Sequence, residues 1–104
     1  MFWLRIVGLC LVIGCARIAP PLATMGDAQR ARVTLSALHE GRALLISKCG
    51  GCHQTPMPYQ YSAVEWPQKL GEMSERASLD AAQIGVLEKY LVTMSDQPRT
   101  AALR

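Results

Sequence analysis

Cys49-Gly50-Gly51-Cys52-His53 is the stretch of this chain where reactive side chains stand at a spacing that chemistry uses. Two thiols three residues apart with an imidazole directly after them have three uses. They cycle as a redox dithiol, supply half of a tetrahedral zinc site, or form thioethers to two vinyl groups of one porphyrin while the histidine takes the iron. A dithiol of the thioredoxin kind needs βαβ strands around it, and no strand-like alternation surrounds this motif. Zinc needs a further ligand pair, and the other histidine of the chain, His39, stands alone. The residues therefore favour the third chemistry. In that reading Cys49 and Cys52 attach one covalent haem c, and His53 is an axial ligand to its iron.

Two helices must position this motif. Leu35, Leu38, Gly41, Leu45 and Cys49 recur at helical spacing, which predicts a helix starting near Thr34 or Ser36 with the motif at its end. Gly41 falls on the apolar face, where a residue without Cβ lets another helix cross closely. Near the C-terminus, Ser78 is the expected N-cap of a helix running to about Met94. Its apolar face is Ile84, Leu87, Leu91 and Met94, with Tyr90 alongside. Between them, Trp66, Leu70 and Met73 stand at i, i+4 and i+7, a third helical face. Ser62-x-x-Glu65 is a possible capping box ahead of it, but Pro67 would then kink the helix or move its start to Trp66.

The first residues read as export. One cationic residue, Arg5, precedes the apolar run Ile6 to Ile13, a length suited to a signal peptide and too short for the roughly 20 apolar residues of a membrane span. Val12-Ile13-Gly14-Cys15 resembles the bacterial lipobox, which implies cleavage before Cys15 and its lipidation. Cys10 is lost with the leader, so Cys49 and Cys52 are left as a local pair with no disulfide framework. From Ala16 to Arg32, Pro20-Pro21 and Gly26 interrupt any apolar period, and the segment reads as a tether with an extended reach of about 55 Å. The expected division is 1–14 signal peptide, 15–32 lipid-anchored tether, 33–97 folded domain and 98–104 tail. Half of the chain is hydrophobic, much of it in the leader, so the remainder has a thin core that a cofactor would supplement. The net charge of +3 arises from scattered basic residues without an aromatic stripe, which argues against nucleic-acid binding.

Gly41, Leu45 and Cys49, with Leu87 and Tyr90, resemble the crossing of first and last helices in class I cytochrome c, with Leu45 in place of the usual aromatic residue. The middle segment, His53, Pro56, Pro58, Tyr61, Glu65-Trp66-Pro67 and Met73, is similar to that of compact bacterial monohaem c domains. The resemblance covers about 38–94. It implies an all-α domain of three to four helices around one haem, with Met73 as sixth ligand ahead of Met57, Met94 and His39. It also implies that Pro56 or Pro58 offers a carbonyl to the ring N–H of His53. With both axial positions filled, the expected function is one-electron transfer between redox partner proteins by a lipid-tethered protein on the periplasmic side of a bacterial membrane. No small-molecule substrate and no catalysis are expected. The alternative is a haem protein with an open distal site acting as enzyme or gas sensor, for which the sequence offers no convincing distal histidine or arginine.

Overall fold

The computed structural model describes residues 19–50 and 55–96. Among the described residues the fold is helical throughout, with four α-helices and no strand. Helix α1 spans Met25–Ala31, α2 Leu35–Leu44, α3 Trp66–Met73 and α4 Ala81–Met94. A π-helical turn, Leu45–Cys49, prolongs α2, and a 3₁₀ turn, Pro58–Gln60, precedes α3. None of these helices is long and apolar enough to cross a membrane. The expected signal peptide 1–14, Cys15 and the tail 98–104 lie outside the described residues.

The helix starts follow local chemistry. Thr34 caps α2 by accepting from the Ala37 amide at 3.1 Å, in agreement with the sequence expectation. α4 is capped by Asp80 and not by the expected Ser78. Asp80 is extended, its Oδ1 accepts from the Gln83 amide at 2.8 Å, and its own amide donates to Gln83 Oε1 at 3.1 Å. This reciprocal box satisfies two amides that the first turn leaves unpaired. Ser78 instead sits at φ 54°, ending the turns that follow α3, and a left-handed residue cannot act as an N-cap. α3 begins at Trp66, with Pro67 in the first turn, where a missing N–H costs nothing. Ser62 still caps the preceding turn, receiving the Glu65 amide.

The core forms where α2 crosses α4, the most extensive helix pairing of the molecule. Leu38, Leu45, Leu87, Tyr90, Leu91 and Met94 are all buried there together with Trp66 and Leu70 from α3. Each such side chain contributes about 1.5–3 kcal/mol on leaving water. Gly41 is at the closest point. A Cβ built on it would stand 2.6 Å from Tyr90 Cβ and 2.7 Å from the Val86 carbonyl oxygen. Ile84, expected on the buried face of α4, is only half-buried, and Thr93 is buried in its stead.

The described part of the expected tether is folded. Pro20 and Ala23 are buried, and α1 turns Asp27 and Ala28 inward. Three carbonyls of this strap are held by the helices beneath it. Arg42 Nε donates to Pro20 O at 2.9 Å, Tyr90 Oη donates to Pro21 O at 2.6 Å, and His39 Nε2 lies 3.4 Å from Ala23 O. The tether reading therefore requires correction over 19–32. Prolines interrupt helical periodicity, but they also free carbonyls for long side chains to capture, and the sequence pattern registers only the first effect.

Asp27 locks the strap internally. Its carboxylate accepts from the Thr24 amide at 2.8 Å, the Thr24 hydroxyl at 3.0 Å and Arg30 at 3.0 Å. Burial pushes this carboxyl up, but those hydrogen bonds and the Arg30 charge together outweigh it, and its pKa falls below the ordinary 3.8. A depressed folded pKa means that the contribution is complete above the unfolded value and is lost as pH falls through the folded one.

Two outcomes are expected. Gly41→Val forces the crossing apart and lowers stability by about 1–3 kcal/mol, read as a lower thermal midpoint. Asp27→Ala lowers stability at neutral pH by about 1–2 kcal/mol, and the loss of stability expected of the parent protein as pH falls below 3.8 should be shallower in the variant. An unchanged midpoint in the first, or an unchanged acid limb in the second, contradicts the respective assignment.

Candidate functional site

α2 and its π-helical extension deliver Cys49. The extension widens the helix by one residue per turn just before the motif, a feature that recurs near functional residues. It ends when the Gly50 amide donates to Ile46 O at 3.3 Å. Cys49 is half-buried and packs against the core cluster, as Met73 does at the end of α3. A thiol carbon and a thioether thus border the same apolar core from two elements. Cys52 and His53 lie outside the described residues.

Gly50 is required by packing. Its φ of −76° is open to any residue. However, a Cβ there would come within 2.7 Å of Ile46 O and 2.9 Å of Thr55 Oγ1. Thr55 therefore closes over the first half of the motif, bringing the chain that leaves it back onto the turn that enters it. Thr55 was not legible as a site residue, because nothing in its type or spacing marks a contact made through a missing side chain.

The loop after the motif is pinned by Trp66. Its indole is fully buried, and Nε1 donates to Pro58 O at 2.8 Å. A buried indole N–H needs an acceptor, so the proline-rich loop supplies one. Of the two carbonyls considered for the His53 ring, that of Pro58 already carries this bond. Tyr61 stands edge-on to Trp66, with centroids 5.0 Å apart at 86°, and Lys69 Nζ lies 5.1 Å from the centre of the Tyr61 ring. Tyr59 and Tyr61 are both half-buried.

The described methionines divide by environment. Met94 is buried in the helix crossing, Met57 is buried ahead of the 3₁₀ turn, Met25 is 61% exposed, and Met73 is half-buried at the core rim. Trp66, Leu70 and Met73 share one face of α3, with the first two buried, as their spacing implied. His39 is exposed and faces the strap carbonyl of Ala23.

Of the four residues expected to hold a haem, Cys49 and Met73 are described, and both pack against the one apolar core cluster. Among the described residues, no group of three or more His, Cys, Asp or Glu side chains forms a separate metal site. A groove of about 640 Å³ elsewhere, lined by Arg30, Val33, Ala63, Glu88, Val92 and Asp96, includes none of the site residues. Comparison with family models, curated proteins and solved structures found no match to this chain.

Gly50→Ala is expected to destabilise the protein by about 1–3 kcal/mol through overpacking. Adding Thr55→Ala should recover only part of the loss, because the Ile46 carbonyl is backbone and cannot withdraw. Full recovery in the double variant would place the strain on Thr55 alone.

Proposed function

We propose that this protein is a monohaem c-type cytochrome that transfers single electrons between partner redox proteins while tethered to the outer face of a bacterial membrane. The Cys49-Gly50-Gly51-Cys52-His53 motif at the end of α2 carries this reading. Support comes from the export and lipobox pattern ahead of Cys15, the glycine-mediated crossing of α2 and α4, and the position of Met73 on the same core rim as Cys49.

In this reading Cys49 and Cys52 would hold the group covalently, and His53 and Met73 would ligate its iron. A haem so held supplies a one-electron couple, reached through its exposed edge. The chain's own residues do the rest. The buried Leu45, Trp66 and Leu70 lower the local dielectric, and the Trp66 bond to Pro58 stiffens the loop that follows His53. The Met73 thioether, as a ligand together with His53, would favour the reduced metal and would keep substrates from it, which is why a carrier and not an enzyme is proposed.

Denaturing gels of the exported protein should retain haem staining, and Cys49→Ala with Cys52→Ala should abolish it. Met73→Ala should keep the stain, lower the reduction potential, remove the near-infrared sulfur-to-iron band of the oxidised protein and admit carbon monoxide to the reduced one. Met57→Ala and Met94→Ala should keep the band. A band that survives loss of Met73 and disappears in either control reassigns the ligand. Carbon monoxide binding by the parent protein would favour an open distal site.

A further inference from the structure

α1 has two unlike faces. Asp27 and Ala28 point inward, while Met25 and Gln29, at i and i+4, are exposed on the other side, with exposed Leu22 just ahead of the cap. Leu22 is 66% exposed and Met25 61%, so two of the large apolar side chains that the fold leaves in water stand close together on the strap. The strap cannot swing to hide them. Arg42, Tyr90 and His39 engage its carbonyls, and Arg30 donates both to Asp27 at 3.0 Å and to Thr93 O at 3.4 Å.

We infer that this face rests on a phospholipid surface, with Leu22 and Met25 entering the headgroup boundary. The inference rests on the reading of Cys15 as the lipidated residue. From Cys15 to the docked Pro20 the chain reaches at most about 17 Å, shorter than the headgroup layer plus a small domain. A long tether would leave the domain free to tumble above the membrane. This short one brings the exposed face of α1 to the lipid surface. Two exposed apolar side chains on a short helix and its lead-in are what an interfacial segment presents there. The acyl chains hold the protein to the membrane, and this face sets its orientation.

The test uses the full chain, exported and processed by a bacterial host, in vesicles of phosphatidylcholine and phosphatidylglycerol containing a phospholipid with a headgroup-proximal diazirine. After photolysis, adducts mapped by mass spectrometry should concentrate on 22–32, at least about threefold above those around Val64, which is 88% exposed elsewhere. Leu22→Glu with Met25→Glu keeps the anchor and alters only exposed positions, so its helical circular dichroism should be unchanged while adducts on 22–32 fall by at least about threefold. Adducts spread evenly over exposed residues, or unaffected by the double substitution, on a chain whose Cys15 carries acyl mass, overturn the orientation and leave the lipoprotein reading standing. Adducts on 22–32 with an unacylated Cys15 support the lipid-facing surface and remove the lipoprotein reading. No acyl mass and no adducts overturn both.

Discussion

The approach of α2 to α4 at Gly41 is the constraint on which the other contacts rest. With Tyr90 Cβ and the Val86 carbonyl filling the space where a side chain would stand, the two helices meet backbone to backbone. Leu38 and Leu45 on one helix and Leu87, Leu91 and Met94 on the other then close a common core. The same Tyr90 carries a second duty. Its ring is buried at the crossing and its hydroxyl reaches the Pro21 carbonyl, so the crossing also seats the strap. Burial holds the Tyr90 phenol well above its ordinary range, which keeps it a hydrogen-bond donor across the whole working range of pH.

The strap and the motif are carried by one helix. His39 in the middle of α2 and Arg42 in its last turn face carbonyls of the N-terminal segment, and the π-helical turn Leu45–Cys49 directly after them carries the first residue of the motif. The segment that would connect the domain to a membrane is therefore docked on the same rigid pair of helices that positions Cys49. A docked strap converts a flexible connection into an oriented one, because each captured carbonyl removes freedom from the chain between the anchor and the core. For a carrier that must present one edge to its partners, fixed orientation restricts the encounter geometry and shortens the search.

The middle of the chain follows a different logic. α3 is short and its burial depends on Trp66 and Leu70, so the loop before it is fixed by one polar bond, indole to Pro58 carbonyl, and by the edge-on packing of Tyr61. Small domains lack the core to hold such loops by apolar contact alone. A covalent group attached at Cys49 and Cys52 would add apolar surface to the core cluster that Cys49 borders, which would give the cofactor a structural as well as a redox role in the proposed reading.

By itself the sequence determined the helical class, the start of α2, the end of α4 at Met94, the face shared by Trp66, Leu70 and Met73, and the close approach at Gly41. These follow from periodicity and from the absence of a side chain, both local properties that survive without knowledge of neighbours. The start of α4 was expected at Ser78, but the backbone puts Ser78 at φ 54° and Asp80 caps the helix through Gln83. The chemistry of the motif was read from Cys49, Cys52 and His53 alone. Only the tertiary structure decided that the strap over 19–32 is folded, that Thr55 closes on Gly50, and that Trp66 takes the Pro58 carbonyl. Each of these depends on a polar atom or a void meeting a partner elsewhere in the chain, up to 69 residues away for Tyr90 and Pro21. Periodicity records which face of a segment is apolar, and it holds no information about which distant carbonyl a tyrosine or an arginine will reach.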